Sequence, residues 1–225
     1  MRKKLKKCMN CILISVLSIS CWEVGKKQVN YIESSVTYNT VQSEKDKFDN
    51  INEYLDNKDY NWITVTETAI DYPLMLGSDN QYYLNHDYSG RYDIAGSIYY
   101  DATDRPYNGL LTVVYGHSMR NGTMFNNLHY FPQDIERFNK SKLTIYDKES
   151  EKVYAPLAYT VFPASEPFYR KIDSMSTNEA VTYLKVHCDY SVENPKYNEN
   201  SHIIALITCD YSVKDGRLVV FYISE

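Results

Sequence analysis

The apolar run near the C-terminus constrains this chain most. Ile203-Ile204-Ala205-Leu206-Ile207-Thr208-Cys209 is β-prone and ends on a cysteine. Asp210 to Gly216 is a polar connection, in which Gly216 is expected to turn the chain. Arg217-Leu218-Val219-Val220-Phe221-Tyr222 is a second β-prone run that opens with an arginine. Two such runs separated by a turn read as neighbouring strands. Paired, they bring Cys209 and Arg217 to the same end of a sheet. A nucleophilic thiol needs a base, and the intermediate it forms needs a partner for its oxyanion. Arg217 is the candidate partner, against the plainer role of a surface ion pair with Asp210 or Asp215. The base must come from elsewhere.

The candidate base lies in Leu110-Leu111-Thr112-Val113-Val114-Tyr115-Gly116-His117-Ser118-Met119. This strand-like run also ends at a polar, reactive residue, with Gly116 expected to let the backbone turn before the imidazole. Residues released from a rigid sheet into a loop are where catalytic groups tend to sit. A cysteine on an apolar strand is by default inert core. Its place at a strand end, with Arg217 and His117 similarly placed, argues instead for a His117, Cys209, Arg217 constellation on three strands. His86, His129, His187 and His202 have no comparable strand end and read as structural.

From Trp62 onward the chain resembles the class B sortases, cysteine transpeptidases of Gram-positive bacteria. The resemblance rests on Trp62-Ile63, Thr68-Ala69-Ile70-Asp71-Tyr72-Pro73, Asp79-Asn80-Gln81-Tyr82-Tyr83-Leu84, Gly96-Ser97-Ile98, Tyr115-Gly116-His117, Gly122-Thr123-Met124-Phe125, and Thr208-Cys209 with Arg217. Their order and spacing together are specific. The family usually has Thr-Leu-Ser-Thr-Cys where this chain has Ala205-Leu206-Ile207-Thr208-Cys209, so Ile207 replaces a serine of the substrate groove. The resemblance implies a closed, mostly antiparallel β-barrel with peripheral α-helices, one of them N-terminal. It also implies that Asn80, Leu84, Phe168 and Tyr169 line the groove, and that Tyr115, Ile207, Thr208 and Asp210 contact substrate next to the reactive residues.

A chain of 225 residues has room for one good-sized domain and an extra segment. The net charge of −5 argues against a nucleic-acid partner, which would want a basic stripe. The 23 tyrosines favour a β-rich domain over a helical bundle. Of five cysteines, Cys8, Cys11 and Cys21 fall in the N-terminal segment, leaving too few for a disulfide framework. Cys8 and Cys11 have metal-site spacing, but a closed zinc site needs four ligands and no second pair follows. No metal and no cofactor is expected.

Residues 1–24 place basic Arg2 to Lys7 before an apolar stretch, Cys11 to Trp22, the layout of a secretory signal. A cleaved signal peptide is one reading and an uncleaved membrane anchor the other. The stretch is short for a full span. The anchor is preferred, partly because the resemblance implies one, and the basic residues put the domain outside. Residues 25–42 read as a polar stalk and 43–225 as the catalytic domain. Ser43-Glu44-Lys45-Asp46 is expected to start a helix, with Phe48, Ile51 and Leu55 on its apolar face. Strands interrupted near Pro73 are expected over Trp62 to Leu76, a further short strand over Gly96 to Tyr100, and a turn-rich loop over Asp104 to Gly109. Met124, Phe125 and Leu128 suggest a brief helix, and Lys142 to Tyr146 with Lys152 to Phe162 a hairpin. Ser176-Thr177-Asn178-Glu179 matches a capping box, which puts Cys188 on the buried side of the following helix as a packing residue.

The expected reaction is transfer of an acyl group from a C-terminal sorting motif of secreted proteins, through a thioester, to a peptidoglycan amine. Two alternatives stay open. Another cysteine-dependent cell-wall enzyme, an L,D-transpeptidase or a cysteine peptidase, would lack the arginine's role. A non-enzymatic surface-binding β-domain would not need the thiol.

Overall fold

The alternation of side chains along the β-prone runs, each with two apolar faces, calls for a sheet covered on both sides. The computed structural model of the protein describes residues 2–103 and 106–225, with side chains described from residue 17 onward. The sequence readings that concern the side chains of Arg2 to Lys7, Cys8 and Cys11, and Asp104 and Arg105 of the turn-rich loop, lie outside the described residues.

The chain begins with helix α1 (Arg2–Lys45) and the short α2 (Ile51–Leu55). Next come strands β1 (Asn61–Val65), β2 (Ile70–Met75), β3 (Ile98–Tyr100) and β4 (Leu111–Tyr115), with a 3-10 turn at Tyr82–Leu84. A 3-10 segment, Phe125–Gln133, leads to α3 (Ile135–Lys140) and the hairpin of β5 (Leu143–Tyr146) and β6 (Glu151–Pro163). A third 3-10 segment, Phe168–Ser174, α4 (Thr177–His187) and β7 (Tyr190–Ser191) precede the final pair, β8 (Ile203–Asp210) and β9 (Gly216–Ser224).

The strands run in the order β5-β1-β2-β3-β4-β8-β9-β6, and β5 pairs with β6 to close an eight-stranded barrel, with β7 as an extra strand on β6. Two neighbouring pairs, β2 with β3 and β4 with β8, are parallel, and the rest are antiparallel. Closure removes the exposed strand edges that invite aggregation. The expected barrel with peripheral helices is the fold observed.

Pro73 lies inside β2 instead of breaking it, one residue before β2 begins pairing with β3 at Leu74 and Ile98. A residue without an N–H fits where a ladder has not yet started. The interruption falls at the turn after Val65, where Glu67 has φ 64°.

Alternation divides the core in two. Ile204, Leu206, Leu218, Val220 and Tyr222 join side chains of β1, β2 and β5 from the opposite wall, which makes that cluster the barrel interior. Ile203, Ala205, Ile207, Val219 and Phe221 form a second cluster outside the barrel with Tyr169, Ile172 and the α4 residues Ala180, Val181 and Leu184. The capping box at Ser176 and Glu179 that starts α4 is present. Cys188 caps the far end of that helix, packed against the outer cluster, where burial and then Asp189 push its thiol up to about 12.

The N-terminal region differs from expectation. The sequence places a helix start at Ser43, whereas α1 continues through residues 25–42 and ends at Lys45. Ser34, Tyr38 and Val41 are buried, and Gln42 and Lys45 bond to Asp71, its backbone carbonyl at 2.6 Å and its carboxylate at 2.6 Å. Tertiary burial thus carries the helix through a stretch that is polar in sequence. The next helix start is capped by Asn50, whose side chain accepts from the Asn52 N–H, and Phe48 is exposed. Among the described residues, no helix is long and apolar enough to cross a membrane.

Candidate active site

Strand β4 lies parallel to β8 with Leu111 opposite Ile203 and Tyr115 opposite Ile207. The Gly116 N–H then donates to the Ile207 carbonyl at 3.2 Å. Both strands therefore leave the sheet at the same end. There β9 enters, with Cys209 opposite Arg217 and Asp210 opposite Gly216. Because side chains alternate, Tyr115, Ile207, Cys209 and Arg217 share the outer face. His117 follows two residues after Tyr115, at the same end of the sheet.

The two glycines at this end supply space, not unusual torsion angles. Neither Gly116 nor Gly216 has a positive φ; Gly216 closes the turn after β8, its N–H donating to the Val213 carbonyl at 3.1 Å. A Cβ on Gly116 would lie 2.7 Å from the Phe125 ring, and one on Gly216 would lie 2.7 Å from the Asp210 carbonyl oxygen. The left-handed residue of the β8–β9 turn is Asp215, with φ 53°.

The His117 ring is half-buried, and its Nε2–H donates to the Leu84 carbonyl at 2.8 Å. A carbonyl only accepts, so this nitrogen carries a proton and Nδ1 is left to exchange one. Among the described residues no hydrogen bond joins His117 to Cys209. Cys209 is a half-buried free thiol. The Arg217 Nη1 donates to the carbonyls of Gly216 at 2.8 Å and Asp215 at 3.4 Å. Among the described residues no carboxylate forms an ion pair with Arg217. The surface ion pair considered for it is absent, and Asp210 instead lies 3.4 Å from His129 Nδ1 through Oδ2 and accepts from the Ser212 N–H at 2.7 Å.

The floor beside Cys209 is a row of side chains across four strands, Tyr99 opposite Tyr115, Tyr115 opposite Ile207, and Ile207 opposite Val219. Ile207 is buried within the outer cluster. Burial, together with the neighbouring Asp101 and Cys209, pushes the Tyr99 phenol up to about 12. Thr208, one residue before the cysteine, points to the opposite side of the sheet, where its hydroxyl is buried without a hydrogen-bond partner.

Asp101 ties floor to wall. Its carboxylate accepts from Tyr115 Oη at 3.0 Å, Asn80 Nδ2 at 2.9 Å, the Thr103 N–H at 2.9 Å, and Arg170 Nη2. Burial alone would raise this carboxyl, but the bonds from Asn80 and Thr103 and the Arg170 charge outweigh it and hold it at about 2. Arg170 belongs to the 3-10 segment that starts with Phe168 and Tyr169, and it also donates to Tyr115 Oη at 3.2 Å. Phe168 and Tyr169 pack on Phe162, with ring centroids 5.5 and 5.6 Å away. Asn80 is therefore engaged by the support of the floor, since its Oδ1 also accepts from the Ala102 N–H at 2.8 Å. Leu84 is 37% exposed, and its carbonyl is the one that holds His117.

Sequence reasoning missed Asp101, Arg170, Tyr99 and His129. His129 reads as structural from sequence, and its Nε2 lies 3.2 Å from the Cys209 carbonyl. Nothing local marked these residues, because their partners are far away along the chain.

Comparison with known proteins agrees with this fold. A sortase domain model matches residues 63–222. Sortase B of Listeria monocytogenes is 30% identical, with the alignment covering 96% of this chain and 95% of that protein. Sortase B of Staphylococcus aureus is 29% identical over 73% of this chain and 69% of its own length. Among solved structures, Clostridium perfringens sortase B superposes with a TM-score of 0.67 at 26% identity, covering 77% of this chain and 97% of that one. The Listeria monocytogenes sortase B structure gives 0.61 at 27% identity, covering 76% and 97%. The chain belongs to the sortase family and, within it, to the class B sortases.

Proposed function

We propose that this sortase-type transpeptidase cuts a sorting signal near the C-terminus of a secreted protein and joins the acyl portion to a peptidoglycan amine at the cell surface. The observation that carries the reading is the strand register, which brings the ends of β4 and β8 and the start of β9 to one end of the sheet. In this mechanism the Cys209 thiol gives its proton to His117 as its Sγ attacks the scissile carbonyl carbon, and the resulting oxyanion faces the Arg217 guanidinium. The carbon–nitrogen bond breaks, the departing amine takes a proton from His117, and a thioester to Cys209 remains. The incoming amine gives a proton back to His117 as it attacks the thioester, and the sulfur leaves. Water in place of the amine gives hydrolysis.

The groove runs over Tyr115 and Ile207 between Leu84 on one side and Phe168 and Tyr169 on the other, with Asp210 at its end. Ile207 in place of the family's serine makes this floor apolar and shifts the preferred peptide accordingly. We place the N-terminal segment at the membrane as an anchor, on the ground that basic Arg2 to Lys7 precedes the apolar Cys11 to Trp22.

The test is mass spectrometry of the protein incubated with a library of short peptides. An acyl adduct on Cys209 together with one defined cut bond is the expected result. Turnover retained in Cys209→Ala would refute the assignment.

A further inference from the structure

The loop that carries His117 and the strand end that carries Cys209 meet at a third side chain. His129 sits in the 3-10 segment Phe125–Gln133, which folds back against the site because the Phe125 N–H donates to the His117 carbonyl at 2.9 Å. Its Nε2 is 3.2 Å from the Cys209 carbonyl and 3.3 Å from Ser118 Oγ, and its Nδ1 is 3.4 Å from Asp210 Oδ2. The ring is mostly shielded, with the His129 and Asp210 side chains 23% and 11% exposed.

Serine, histidine and aspartate linked in this order have the connectivity of a hydrolytic triad, but the hydrogen positions exclude that role. A serine nucleophile needs Nε2 as a proton acceptor. Here Nε2 faces a backbone carbonyl, which only accepts, so the nitrogen carries a proton. Asn126 Nδ2 also donates to Ser118 Oγ at 3.2 Å, which ties the serine to the same 3-10 segment.

The arrangement does something else. Ser118 directly follows His117, and Asp210 directly follows Cys209, so one imidazole touches the neighbours of both reactive residues. We infer that His129, oriented by Asp210, is a positioning residue that clamps the His117 loop to the Cys209 strand end. This inference rests on the roles given to Cys209 and His117 above. The clamp acts through Nε2–H and its two oxygen partners, and it sets the alignment of imidazole and thiol, neither of which bonds to the other in the resting protein. Misalignment on the order of 1 Å at a reacting centre costs about a hundredfold in rate.

The test compares His129→Ala, His129→Gln and Asp210→Asn in the intact protein, on a peptide that the wild type acylates onto Cys209. Steady-state kcat and KM are measured alongside thermal unfolding. His129→Ala is expected to lower kcat by about ten- to a hundredfold with KM within about twofold, since the groove itself is untouched. His129→Gln, which keeps an N–H donor near the Nε2 position, is expected to recover most of the loss, and Asp210→Asn, which also alters the end of the groove, to fall between them in kcat while raising KM. An unchanged kcat in His129→Ala, or a Gln variant no better than Ala while both stay folded, overturns the clamp. The wild-type adduct on Cys209 tests the underlying roles separately, so failure of the one is distinguishable from failure of the other.

Discussion

Cys209 and Arg217 sit directly opposite each other on neighbouring antiparallel strands, so the thiol and the guanidinium leave the same face of the sheet from adjacent backbones. The Arg217 side chain is steadied by the Gly216 carbonyl at 2.8 Å, and no carboxylate takes up its charge among the described residues. A cation held on the strand opposite the thiol is what the proposed oxyanion role of Arg217 requires.

Arg217→Ala is accordingly expected to lower kcat by about a hundred- to a thousandfold. Arg217→Lys should recover only part of this, because an ammonium cannot keep the carbonyl contact and still present a planar fork. Peptide kinetics check both. Reaction of Cys209 with iodoacetamide should persist in both variants, which separates loss of oxyanion support from loss of the nucleophile.

Acid stability should report on Asp101. Its folded-state pKa of about 2 lies below the ordinary 3.8, so ionisation favours the folded state. The contribution is fully present above the unfolded value and is lost as pH falls through 3.8 towards 2, a difference worth about 2 kcal/mol. Asp101→Asn is expected to be destabilised by about that amount at neutral pH, with the gap to wild type closing below about pH 4. Urea unfolding at a series of pH values tests it. A constant gap across the range would show that Asp101 acts through packing alone. Because Arg170 loses its carboxylate partner in the same variant, the Phe168–Tyr169 wall should loosen and KM for peptide should rise.

Gly116→Ala should show that space is the reason for the glycine. The added Cβ would lie 2.7 Å from Phe125, whose ring is fully buried. Overpacking of this kind costs about 1–3 kcal/mol, seen as a lower midpoint in thermal unfolding. Activity should fall too, since the displaced backbone is the one leading into His117. A variant as stable and as active as wild type would show that Phe125 yields without cost.

The parts of the fold that could be read from sequence are those with short-range signals. The β5–β6 hairpin with its Asp147 turn, the capping box of α4, and the two runs of β8 and β9 each declare themselves within a few residues. The parts that could not be read depend on distant partners. Strand β4 pairs in parallel with β8, an alignment of Leu111 with Ile203 that no turn encodes. Helix α1 continues through residues 25–42 because Tyr38 and Val41 find burial on the barrel. The site divides in the same way. Residues at strand ends stood out by position, whereas Asp101 needs Arg170 and His129 needs Cys209 before either has any meaning.

Thr208 offers a prediction with the opposite sign. It immediately precedes Cys209 and matches the family pattern, which led to the expectation that it touches substrate. Its side chain faces away from the groove, with a buried hydroxyl that has no hydrogen-bond partner. An unpaired buried hydroxyl costs about 1–3 kcal/mol of desolvation, and replacing it with an apolar group of the same shape removes that cost. Thr208→Val, which keeps the branched shape, is therefore expected to be as stable as wild type or more so, with kcat and KM within about twofold, because the strand alternation keeps the new methyl out of the groove. Thermal unfolding and peptide kinetics give the answer. A large loss of peptide turnover with unchanged stability would mean that the hydroxyl reaches the substrate after a rotation of the strand end, and would return Thr208 to the groove.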